Sequence, residues 1–128
     1  MNNTELCGTS VLVVEDEFRI ATLVRDMLEE CGYHVAATAT CLDDAIEKAG
    51  SLACDVALLD VNLNGQPSYA VAKVLAGRGV PFVFATGYAS SHVPPQFRRA
   101  PVVQKPFMMR DLERALRLAL GDRAHQSQ

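Results

Sequence analysis

The chain has 128 residues, 49% of them hydrophobic, which is enough for one core and predicts one domain. Its 12 basic and 15 acidic residues leave a formal charge of -3 and are spread along the chain, so the basic stripe of a nucleic-acid binder is excluded. No stretch reaches the roughly 18 consecutive apolar residues of a membrane span, and the polar start from Met1 to Ser10 lacks the parts of a signal peptide.

Val11 to Val14 is an unbroken apolar run that ends abruptly in Glu15, Asp16 and Glu17. Such a run predicts a strand covered on both faces, as in parallel sheets. Ile20, Leu23, Val24, Met27, Leu28 and Cys31 follow at helical spacing, and Gly32 stands where a helix stops. The same unit recurs. Tyr33 to Ala39 reads as a strand, and Leu42, Ala45, Ile46 and Ala49 as a helix face with Asp43 and Asp44 in its first turn.

Val56 to Leu59 is a third buried strand, ending in Asp60, and a loop from Asn62 to Pro67 leads to a helix through Val71, Val74 and Leu75. Val80 to Ala85 is the fourth strand. From Gly87 to Ala100 the pattern is less regular, because Pro94 and Pro95 allow at most a short helix starting there. With Gly87 freeing the backbone, the stretch from Gly87 to Arg99 is expected to be the most mobile. Val102 and Val103 form a brief fifth strand before Lys105 and Pro106. A last helix buries Phe107, Leu112, Leu116 and Leu120 and turns Arg110, Arg114 and Arg117 outward.

The predicted organisation is a flexible start over 1–9, one domain over 10–121, and a flexible polar tail over 122–128. Five strands alternating with five helices predict an α/β fold, a five-stranded parallel sheet with helices on both faces and right-handed crossovers. The flavodoxin-like order 2-1-3-4-5 is one common solution for such a sheet.

In open parallel sheets the ligand site lies beyond the carboxyl ends of the strands. The residues there are Glu15 and Asp16 after the first strand, Asp60 after the third, Thr86 after the fourth and Lys105 after the fifth. In that order the first and third strands are neighbours, which crowds three carboxylates that repel unless a cation holds them. All-oxygen donors suit magnesium. Glu15 and Asp16 then hold the ion, while Asp60 both touches it and attacks phosphorus. Lys105 supplies a cation for the moving phosphoryl oxygens, and Thr86 a hydroxyl that shifts on modification.

Singly, each residue has an ordinary reading: a helix cap, a solvated turn, a β-branched strand residue or a surface charge. The joint pattern outweighs these. His34, His92 and His125 form no metal-ligand cluster. Cys7, Cys31, Cys41 and Cys54 lie far apart, as reduced thiols of a cytoplasmic protein would. Two other functions use parts of the pattern: a binding scaffold that is never phosphorylated, and an enzyme hydrolysing a small phosphoester through an aspartyl intermediate. The first would gain nothing from crowded carboxylates, and the second lacks a pocket-forming insertion.

The motifs VLVVEDE, LLDVNLNG, FATGY and QKPF resemble, in order and spacing, those of response-regulator receiver domains across essentially the whole chain. The run from Pro81 to Tyr88 is similar to the FATGUY subgroup of stand-alone receivers. The resemblance implies magnesium held by Glu15, Asp16, Asp60 and the backbone carbonyl of Asn62. It also implies phosphorylation of Asp60, phosphate contacts from Thr86 and Lys105, and a cis bond between Lys105 and Pro106, although base rates favour trans.

It further implies a sensor histidine kinase or phosphotransfer protein as donor and an unidentified downstream protein partner, while the charge distribution and the lack of a long apolar run predict no nucleic-acid and no membrane partner. Typical receivers carry a Tyr or Phe where this chain has Val102. Tyr88, two residues past Thr86, is the candidate to replace that ring in the switch.

Overall fold

The computed structural model describes residues 8–87 and 93–126, with side chains described through Gly121. Strands β1 (Ser10–Val14), β2 (His34–Ala39), β3 (Val56–Asp60), β6 (Phe82–Thr86) and β7 (Val102–Gln104) form one sheet in the order β2-β1-β3-β6-β7. Every neighbouring pair is parallel. Counting these five strands alone, the order is 2-1-3-4-5, as the sequence predicts.

Alternating side chains send the apolar runs to both faces of the sheet. Val11, Val13, Leu58 and Val83 point to one face, where α1 (Phe18–Glu30) and α4 (Met109–Gln126) cover them with Val24, Leu28, Leu112 and Leu116. Leu12, Val14, Leu59 and Phe84 point to the other. There α2 (Leu42–Ser51) and α3 (Tyr69–Gly77) close the core with Ala45, Ala49, Val71 and Leu75.

Three details differ from the sequence reading. Where a fourth of five helices was expected, the described residues hold a single 3-10 turn, Pro95–Phe97. Pro94 is fixed in an extended conformation, and Pro95 brings no donor, so the turn is short. Buried Phe97 anchors it among Tyr69, Phe82 and Phe84, with ring centroids 5.9–6.0 Å from its own. The helix α4 does not stop at Gly121 but runs to Gln126. One glycine costs a helix only about 1 kcal/mol, and the residues after it tolerate helix.

The third difference is a two-residue antiparallel ribbon, β4 (Asn62–Leu63) with β5 (Gln66–Pro67), inside the expected loop. Its turn is Asn64-Gly65, both with positive φ, 52° and 85°. That pair suits a tight hairpin turn, because Asn tolerates and Gly readily adopts the left-handed backbone. Of the stretch expected to be mobile, residues 88–92 lie outside the described residues, as do residues 1–7 of the N-terminal segment.

Candidate functional site

The parallel strands carry the predicted residues to one end of the sheet. Glu15 follows β1 directly, and its amide donates to the Ala39 carbonyl at 3.0 Å, which carries the β1–β2 ladder one residue further. Asp60 is the last residue of β3 and pairs with Ala85 of β6, one residue before Thr86. Lys105 follows β7, and its amide donates to the Thr86 carbonyl at 2.8 Å. Glu15, Asp60 and Thr86 are all buried.

Glu15, Asp16 and Asp60 each present a carboxylate oxygen within 4.8 Å of the others. Lys105 Nζ donates to Glu15 Oε1 and to Asp60 Oδ2, both at 2.8 Å. Three further carboxylate oxygens are oriented by backbone amides. Glu15 Oε2 accepts from the Glu17 amide at 3.0 Å, and Asp60 Oδ1 from the Asn62 amide at 3.2 Å. Asp16 Oδ2 accepts from the Asn64 amide at 2.9 Å.

Charge and burial compete here. Burial pushes the Glu15 carboxyl up, and the bonds from Lys105 and the Glu17 amide only partly offset it. For Asp16 burial also works upward, but the Asn64 amide and neighbouring bonds win and hold the group below the ordinary aspartate value. Burial works downward on the Lys105 ammonium, yet the bonds to Asp60 and Glu15 overcome it and raise its pKa. The site therefore keeps its lysine charged.

Three carboxylates without a nitrogen or sulfur donor among them suit a hard cation, and magnesium fits that donor set. Asn62 adjoins the cluster through its amide, while its side-chain oxygen accepts from the Gly65 amide at 2.7 Å inside the hairpin. Asn64 was not among the predicted site residues. Its contact with Asp16 spans 48 positions, and the Asn-Gly pair was the available signal.

Val102, in the place of the usual aromatic, is exposed on the edge strand. Tyr88 lies outside the described residues. The Lys105–Pro106 bond is cis, as the resemblance implies and against the base rate.

Residues 11–117 match the family model described as response regulator receiver domain. Against curated proteins the chain shows no match. Among solved structures it is similar to SdrG from Sphingomonas melonis Fr1, at 40% identity over 94% of this chain and 99% of that one, with a TM-score of 0.78. It also resembles the signal receiver domain of a modulated diguanylate cyclase from Desulfovibrio desulfuricans G20, at 27% identity over 93% and 98% of the two chains, TM-score 0.81. The receiver domain of the Erythrobacter litoralis PhyR response regulator is 27% identical over 91% and 93%, with a TM-score of 0.74. With most of its length matched by that model and its strand order that of the fold, the chain belongs to the response regulator receiver domains of two-component signalling.

Proposed function

We propose that this chain is a single-domain response regulator whose Asp60 accepts a phosphoryl group from a sensor histidine kinase or a phosphotransfer protein. One observation carries the reading: three carboxylate oxygens lie within 4.8 Å of one another, and Lys105 Nζ bonds Asp60 at 2.8 Å. Glu15, Asp16, Asp60 and the Asn62 carbonyl would hold magnesium. When bound, that ion supplies positive charge against the crowded carboxylates and the phosphoryl oxygens.

The protein's own residues do the rest. An Asp60 oxygen forms the new bond to phosphorus as the bond from the donor's histidine nitrogen to phosphorus breaks, leaving an acyl phosphate and a free imidazole. Lys105 gives its ammonium to a phosphoryl oxygen, and the Thr86 hydroxyl donates to another. Drawing Thr86 toward the phosphoryl group shifts the end of β6, and Tyr88 takes the part of the ring missing at Val102. The functional unit spans 10–121, works in the cytoplasm and signals by contact with a downstream protein.

Incubating wild type and Asp60→Asn with a small phosphodonor and magnesium tests this by intact mass. Wild type should gain one phosphoryl group and the variant none. Equal masses would refute it.

A further inference from the structure

The tip of the β4–β5 ribbon carries a chemistry that phosphoryl transfer does not use. Of the four asparagines in the chain, Asn64 alone precedes a glycine. Asn64 and Gly65 are both exposed, and both have positive φ. Beyond the chain neighbours, nothing lies within 4 Å of the place a side chain at position 65 would take. The Asn64 side chain can therefore close on the Gly65 nitrogen without the crowding that any other residue at 65 would impose.

Such closure is the route by which asparagine is thermally labile. The Gly65 nitrogen gives its proton to water and bonds to Asn64 Cγ, and the Cγ–Nδ2 bond breaks as ammonia leaves. Water then opens the resulting succinimide at one of its two carbonyls, leaving aspartate or isoaspartate. The sum is a side-chain amide and water going to a carboxylate and ammonium. One contact opposes the attack: the Gly65 amide donates to Asn62 Oδ1 at 2.7 Å, which holds both the nitrogen and its proton. The place gives the product a consequence, because the Asn64 amide anchors Asp16 Oδ2 at 2.9 Å, beside Glu15 and Asp60.

We propose that Asn64 is a site of spontaneous deamidation, that the Asn62 side chain brakes it, and that conversion to isoaspartate detaches Asp16. Isoaspartate routes the main chain through the former side chain and lengthens it by one carbon. A tight Asn-Gly turn cannot absorb that insertion and keep its geometry, so the residue 64 amide is drawn off the Asp16 carboxylate. Asp16 then loses the donor that orients it, and with it the pocket loses a fixed ligand for a cation. Only this last step rests on the magnesium reading above.

Holding the full chain without magnesium in warm, mildly alkaline buffer tests it. Peptide mapping should find isoaspartate accumulating at position 64 well ahead of the other three asparagines. Asn62→Ala, which frees the Gly65 amide, should convert at least about threefold faster. Circular dichroism confirms that this variant folds, and Asn62→Val, a better strand residue, replaces it if it does not. In the isolated isoaspartyl form the residue 64 amide resonance should lose the shift that Asp16 gives it, and magnesium should bind about tenfold more weakly than to the fresh chain. The amide resonance needs no metal, so a fresh chain that binds no magnesium would sink the reading of the site and leave this inference decidable. The proposal is overturned if position 64 converts no faster than the other asparagines, or if freeing the Gly65 amide leaves the rate unchanged. A converted form that keeps the fresh chain's amide shift, or its magnesium affinity, overturns it too.

Discussion

Lys105 Nζ lies 2.8 Å from Asp60 Oδ2, joining residues 45 positions apart across the open end of the sheet. The side chains are 22% and 8% exposed, so this pair is shielded far more than a surface ion pair. The same ammonium bonds Glu15, and one cation thus balances two buried carboxylates.

Lys105→Met should therefore lower stability by about 1–3 kcal/mol at neutral pH, because it strands Glu15 and Asp60 without a counter-charge. Urea unfolding with and without magnesium measures this. Added magnesium should recover most of the loss in the variant and stabilise wild type less, since in wild type the lysine already occupies the carboxylates.

Glu15 is pushed up from 4.5 by burial. The folded state then holds its proton where the unfolded chain has lost it, so this group weakens the fold as pH rises through 4.5 to its own higher value. A proton on Glu15 also excludes a cation. Magnesium affinity should fall as pH drops through that same range, and calorimetric titration at neutral and mildly acidic pH reads the fall. Glu15→Gln should bind magnesium at least about tenfold more weakly at neutral pH and show a flatter pH profile.

Tyr33 sits under the C-terminal end of α1, buried, its hydroxyl without a hydrogen-bond partner among the described residues. Burial, with the nearby Glu113 charge, pushes it up to about 12. The unfolded chain ionises first, near 10, so stability should fall between pH 10 and 12 by up to about 1.4 kcal/mol per pH unit from this group. Lys105, also raised, adds a loss of the same sign above 10.5. Tyr33→Phe should remove the tyrosine part of that slope and change neutral-pH stability by less than about 1 kcal/mol. Denaturant midpoints across the alkaline range separate the two contributions.

Thr86→Ala should still accept a phosphoryl group but lose the coupled change beyond β6. The resonances of the Tyr88 ring and of Phe97 report it on addition of beryllium fluoride with magnesium. They should move in wild type and stay in place in the variant. A Tyr88 ring that is indifferent in wild type would end its proposed part in the switch.

The site was largely legible because its residues end apolar runs. Glu15, Asp60 and Thr86 each sit where an apolar run breaks, and Lys105 follows the short run Val102–Val103 by one polar residue; a parallel sheet brings such ends together. Asn64 was not legible in the same way. Its amide holds Asp16 through a contact between distant loops, and a two-residue ribbon is too short to register as strands. The end of α4 escaped for another reason: Gly121 reads as a stop, but one glycine costs a helix only about 1 kcal/mol, and the helix continues through it to Gln126. The Pro94-Pro95 pair marked the shortened crossover, although the burial of Phe97 depends on rings supplied by α3 and β6.

Reduction of the phosphorylated chain with borohydride, followed by peptide mapping, locates the acyl phosphate directly, since the modified aspartate is converted to homoserine. The account predicts homoserine at position 60 and only when magnesium was present. Homoserine at another acidic residue, or at none after a confirmed phosphoryl gain, would contradict it.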